Sequence, residues 1–214
     1  MTTHPTPDTD RHSDVHPTLD REKPAGPSKL IAGLTISYVA SAFGWRTWRQ
    51  WRTTGDSGIR IGRDGTPQER IAGGLFAASL LAGAATTAQT PVGSPSVRRL
   101  GVGMMTAGLV GTLAAQLDLG ESWRIGVDSS ERTDLVTSGA FALVRNPIFS
   151  AMSVFAVGAG LAVGTRSARL AAAAMIGAVQ TQVRLVEEPY LARVHGESYT
   201  TYTNTVGRFV PGFT

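Results

Sequence analysis

No cysteine occurs in the 214 residues, which excludes disulfides, thiolate metal sites and a cysteine nucleophile. Histidine is nearly as scarce. Three of the four (His4, His12 and His16) fall in the first sixteen residues, which leaves no histidine-rich metal site in the body of the chain. Charged residues make up only 17% of the sequence, and much of that charge sits in a tail and in loops, so the remainder is distinctly apolar. The formal net charge of +4 does not point to nucleic acid, because the arginines are scattered between apolar runs and not gathered on one face. They read as membrane flanks, and no nucleic-acid partner is expected.

Residues 1–28 combine Pro, Thr, Asp and Arg without periodicity, the composition of a disordered tail, and lack the order of segments that marks a signal peptide. Residues 29–214 read as one transmembrane domain. Apolar runs lie near 30–45, 71–90, 100–117, 148–164 and 170–186, uncharged except for Arg184 in the last. A helix needs roughly 20 apolar residues to cross a bilayer core, so the first run is slightly short and the others suffice. Gly, Ala and Thr are abundant in them, as close helix packing in lipid requires. The fragment VGAGLAVG at 157–164 is similar to a phosphate loop, but no strand precedes it, and it reads as a helix contact. Trp45, Trp48 and Trp51 alternate with Arg46, Arg49 and Arg52 after the first run, a mixture suited to the headgroup level. The polar loop at 55–70 carries no nucleotide-binding pattern. The expected fold class is all-α integral membrane, with about five transmembrane helices, the last two forming a C-terminal helical hairpin.

Two polar clusters interrupt this pattern. Residues 118–146 are too polar to be buried in lipid. They lead into TSGAFALVRNPIF at 137–149, where Gly139 has open backbone choices, Arg145 brings a fixed charge and Pro147 removes a backbone donor before an apolar run. This is either an ordinary helix start with a snorkelling arginine or part of a site. The second cluster closes the last run: Gln180, Gln182, Arg184, Glu187 and Glu188. On a continuing α-helix Arg184, Glu187 and Glu188 share one side, as a surface ion pair or as a polar pocket. The tail beyond them is amphipathic and aromatic, and His195 before Gly196 reads as a helix C-terminal residue or, less simply, a general base. Five crossings place both clusters on one side. Twelve of the twenty Lys and Arg lie on that side, a weak bias toward its being cytoplasmic.

Together the clusters resemble the motifs of the isoprenylcysteine carboxyl methyltransferase family, relatives of the phospholipid N-methyltransferases. The family's T-x-G-P-[YF] turn and Arg-His-Pro-aromatic element are similar to Thr137, Gly139, Phe141, Arg145, Pro147 and Phe149. Its Glu-Glu, Phe-Gly, Tyr-x-x-Tyr and final proline are similar to Glu187, Glu188, His195, Gly196, Tyr199, Tyr202 and Pro211. Two positions depart: the family's histidine is Asn146 and the proline of its turn is Ala140.

The resemblance implies an integral membrane methyltransferase that uses S-adenosylmethionine, needs no metal, and methylates a small lipophilic or lipid acceptor. It implies a cytoplasmic cofactor pocket holding Gly139, Phe141, Arg145, Asn146, Pro147, Glu187 and Tyr199. Arg184 and Glu188 would face the acceptor as catalytic residues, the arginine matching a carboxylate and Glu188 or His195 serving as base for a thiol, phenol or amine. The bilayer and a lipophilic substrate are the implied partners, in the plasma membrane if the protein is bacterial. The alternative is a non-catalytic membrane protein that keeps the fold and has lost activity with the histidine. A reductase reading would need a nicotinamide site, and the sequence contains none.

Overall fold

The computed structural model describes residues 1–2, 28–59, 66–125 and 134–213. Nearly all of the tail expected to be disordered lies outside the described residues, as do parts of both long polar loops. Among the described residues the regular structure is entirely helical: α1 (Lys29–Val39), α2 (Arg46–Thr54), α3 (Pro67–Thr86), α4 (Pro95–Asp118), α5 (Pro147–Val163), α6 (Arg166–Gln182), α7 (Glu188–His195) and α8 (Glu197–Thr205).

Each of the five apolar runs becomes a helix, in order, but polar caps move the boundaries outward. Thr66 and Glu69 close a capping box around Pro67 and start α3 inside the polar loop. Ser94, accepting from the Ser96 N–H, and Pro95 start α4 ahead of its apolar run. The first run does not stop at Trp45, because a π-helical turn over Ala40–Trp45 carries it into α2. A second such turn, Val183–Glu187, joins α6 to α7. Of the described helices α4 is long and apolar enough to cross a membrane, and α5 is a shorter apolar helix.

The packing is inverted relative to a water-soluble domain. Ile36 of α1, Leu81 of α3, Val110 of α4, Val154 of α5 and Leu170 of α6 are exposed, while Gly, Ala, Met and Thr fill much of the interior. Small residues let α4 and α5 touch backbone to backbone. A Cβ added to Gly108 would lie 2.6 Å from the Phe155 nitrogen, and one added to Gly158 would lie 2.7 Å from the Gly101 oxygen. The glycines of 157–164 thus serve a helix contact, as their spacing suggested. Tyr38 fastens α1 to this pair, stacking on Phe155 at 4.2 Å and sharing a 3.1 Å hydrogen bond with Thr112. At one end of the bundle the turn between α5 and α6 is held by Gln89, whose Oε1 accepts from Thr165 at 2.7 Å and Ser167 at 3.0 Å. The other end gathers the C-terminus of α4, the N-terminus of α5, and α7 and α8.

Candidate active site

The site begins where α4 ends. Gly139 takes φ +60° and approaches Asp118 so closely that a Cβ there would sit 2.6 Å from the carboxyl carbon. The Ala140 N–H donates to Asp118 Oδ2 at 2.8 Å. Proline could not make that bond, so alanine at the family's proline position preserves a donor that this turn uses. The turn over Gly139–Ala142 buries Phe141 and delivers residues 144–146 to the start of α5, where Pro147 occupies the first helical position and is itself buried.

The tail closes over this loop. Tyr202 donates its hydroxyl to the Phe141 carbonyl at 2.6 Å. Val144 pairs with Gly207 in an isolated parallel bridge. Beyond it the Arg145 N–H donates to the Gly207 carbonyl at 2.8 Å, and the Asn146 N–H to the Arg208 carbonyl at 3.1 Å. The Asn146 side chain reinforces the same carbonyl through Nδ2 at 3.2 Å, and Ser150 donates to the Phe209 carbonyl at 3.0 Å. Asn146 therefore straps the tail down, and its side chain does not cap α5 although asparagine favours that role.

Beneath the strap lies an ionic triad. Arg145, 8% exposed, donates from Nη1 to the Thr203 carbonyl at 2.9 Å and from Nη2 to Glu188 Oε1 at 3.3 Å. Arg208 grips the same carboxylate in a fork, Nε to Oε1 and Nη2 to Oε2, both at 2.8 Å. That hydrogen bond holds the Arg208 guanidinium above its ordinary range. Two guanidiniums share one carboxylate, which leaves the triad with one net positive charge. Two buried polar atoms beside it have no partner: Arg145 Nε and the Tyr199 hydroxyl. Burial, and after it the Glu188 charge, pushes Tyr199 up to about 12, and burial pushes Tyr202 up to about 12.

Glu187 stands apart from its neighbour. Its Oε1 accepts from Gln182 Nε2 at 3.2 Å, and burial raises the carboxyl above the ordinary range against the pull of that bond and of Arg124. Arg124 donates to the Tyr190 hydroxyl at 2.9 Å and lies over its ring at 5.1 Å. His195 is the last residue of α7, as its place before Gly196 suggested.

The structure thus brings Gly139, Phe141, Arg145, Asn146, Pro147, Glu188 and Tyr199 to one junction, with Glu187 next to it. Arg184 does not join them. It is exposed and donates from Nε to Gln180 Oε1 at 2.9 Å. The π-helical turn at Val183–Glu187 takes Glu187 off the side that α spacing would give it, and Glu188 is held by Arg145 and Arg208. Arg208, Thr203, Asp118 and Arg124 are components that sequence reasoning missed. Arg208 carried a signal, as the lone charge between 198 and 214.

Comparison with known proteins gives a family match and structural matches. Residues 97–198 match the family model of phospholipid methyltransferase, a span that holds both clusters and stops just before Tyr199. The fold is similar to that of the eukaryotic intramembrane Ras methyltransferase, isoprenylcysteine carboxyl methyltransferase, solved without a monobody. That match has a TM-score of 0.55 and 20% identity, and covers 86% of this chain and 67% of the other. Curated proteins gave no match. The fold is thus isoprenylcysteine carboxyl methyltransferase-like, and residues 97–198 are similar to the phospholipid methyltransferase family.

Proposed function

We propose that this chain is an S-adenosylmethionine-dependent methyltransferase of the membrane, acting on a small lipophilic or lipid acceptor at the junction of the 137–149 loop and the tail. The observation that carries the reading is the pair of buried, unpartnered polar atoms, Arg145 Nε and the Tyr199 hydroxyl, beside a triad with one excess positive charge. A buried polar group without a partner costs about 1–3 kcal/mol, which favours a ligand contact for the Tyr199 hydroxyl above all, since the Nε left unpartnered on Arg145 is left so on the buried Arg46 as well. The residues present fit the amino-acid end of the cofactor: a guanidinium for its carboxylate, and the Glu187 carboxyl for its amine. When bound, the cofactor supplies a methyl group on a positively charged sulfur, and transfer breaks one carbon–sulfur bond as the acceptor forms its bond to that carbon. The chain's part is to orient the partners and keep water out under the strap.

Glu188 is held by Arg145 and Arg208, so its role in this reading is to fix both guanidiniums and not to take a proton. A carboxylate acceptor needs no base, and a thiol or amine acceptor turns to Glu187 or His195. Crossing of the bilayer by all five long helices, with the site on the cytoplasmic face, belongs to the same proposal.

Calorimetry with S-adenosylmethionine or its demethylated product tests the reading. The intact chain is expected to bind saturably, and Arg145→Ala or Glu187→Ala to abolish binding. Folded protein that binds neither compound would leave the non-catalytic alternative standing.

A further inference from the structure

The sequence places six residues, three Trp and three Arg, at the headgroup level, and the structure divides them. On the inner side of α2, Arg46 and Gln50 are buried. Arg46 donates to Gln50 Oε1 at 3.1 Å and to the Gly120 carbonyl, and Gln50 donates to the Glu121 carbonyl at 2.7 Å. These bonds fix the rotation of α2 against the end of α4. On the outer side Trp45, Trp48 and Trp51 are 40%, 54% and 56% exposed. The Arg49 guanidinium lies over the Trp45 ring at 5.7 Å and that of Arg52 over Trp48 at 5.5 Å. Stacking uses the flat face of a guanidinium and leaves its in-plane N–H groups free to donate. Helix α2 has no acidic residue, and among the described residues no carboxylate pairs with Arg49 or Arg52.

We propose that this face is a binding surface for anionic phospholipid headgroups of the surrounding bilayer. Arg49 and Arg52 take the phosphate oxygens, and the three indoles lie at the boundary with the acyl chains. Continuity favours lipid over an acidic protein. Leu30, Ile36 and Val39 are exposed along α1, and the same continuous helix carries Trp45, so the rings sit where an apolar exposed helix gives way to the cationic one. Arg46 takes no part, being turned inward.

The test uses the intact chain in phosphatidylcholine nanodiscs with a minority of phosphatidylglycerol, reading tryptophan quenching by spin-labelled forms of each lipid. Quenching by phosphatidylglycerol is expected to exceed that by phosphatidylcholine by about five-fold for each arginine at low salt. Added salt should shrink the preference. Arg49→Gln with Arg52→Gln should remove it, and Arg49→Lys with Arg52→Lys should retain most of it. Equal quenching by the two lipids, or a preference that survives the glutamine pair, overturns the proposal. Binding of an acidic soluble polypeptide without lipid preference would assign the face to a protein instead. Should the glutamine pair fail to fold, a preference in the unaltered chain that is indifferent to salt also overturns it.

Discussion

Arg46 and Arg145 are both buried at the same end of the bundle, 2% and 8% exposed, yet their charges are met in opposite ways. Arg145 has a carboxylate, shared with Arg208, and a main-chain carbonyl at Thr203. Arg46 pairs with no carboxylate among the described residues. It donates to the Gln50 amide oxygen and the Gly120 carbonyl, and stacks over Trp123 at 4.9 Å. Burial, and after it the Arg49 charge, brings it down to about 10, still protonated at neutral pH. Dipoles and a ring suffice for a cation whose task is to latch α2 onto the end of α4. A carboxylate between two guanidiniums is a different device, because it leaves an excess of charge beside the buried Tyr199 hydroxyl, whereas an unpartnered Nε is common to both arginines. The contrast separates a structural arginine from one in a site.

The largest effect should come from breaking the richer of the two arrangements. Glu188→Gln leaves Arg145 and Arg208 without a counter-charge, and removal of one partner from a buried ion pair costs about 3 kcal/mol or more. We expect a large loss in thermal unfolding of the detergent-solubilised chain, together with loss of cofactor binding. Arg46→Met should cost less, about 1–2 kcal/mol, since the Gly120 carbonyl loses its donor but a desolvated charge is also removed. Cofactor binding should survive it. If Arg46→Met abolished binding while Glu188→Gln spared it, the assignment of the two arginines would be reversed.

The adjacent glutamates sharpen the comparison through pH. Glu187 has an amide and a more distant Arg124 in place of two contacting guanidiniums, and its carboxyl is raised by burial. A raised carboxyl means that the fold favours the neutral form. The corresponding stability is complete below the unfolded glutamate value of about 4.3 and is lost as pH climbs through the higher folded value. Unfolding of the cofactor-free chain, followed upward from pH 4, should show a decline that Glu187→Gln removes, because glutamine keeps the acceptor for Gln182 without the charge. A decline of the same size in the variant would assign it to another group.

Much of this architecture could be read from the chain, for a physical reason. Runs that face lipid must be apolar over their whole length, so the helix order was visible, while the polar caps at Thr66 and Ser94 hid where the helices start. The meeting of the 137–149 loop with the tail was also legible, because each cluster is polar at a place where its neighbours are not. The manner of meeting was not. The strap runs through the carbonyls of Gly207, Arg208 and Phe209, and a carbonyl leaves no mark in a sequence. α-Helical spacing puts Arg184 beside both glutamates; the π-helical turn moves Glu187 away, and Glu188 is taken by Arg145 and Arg208, which no local spacing reveals.

The smallest expected effect on the fold is the most specific for the site. The Tyr199 hydroxyl is buried and without a partner, so in the cofactor-free chain it is a cost to folding. Removing a buried donor that nothing satisfies should be neutral or stabilising by up to about 1 kcal/mol. Tyr199→Phe should therefore unfold at the same temperature as the unaltered chain or slightly above it, while binding S-adenosylmethionine more weakly. Tyr202 provides the counterpart one turn on, because its hydroxyl is already used by the Phe141 carbonyl. Tyr202→Phe leaves that carbonyl without its donor and should lower stability by about 1 kcal/mol or more. Opposite signs for two neighbouring Tyr→Phe changes would show that one hydroxyl holds the loop to the tail and the other waits for a ligand. A loss of stability from both would mean that Tyr199 has a structural partner, and the reading of its hydroxyl as a ligand contact would fall.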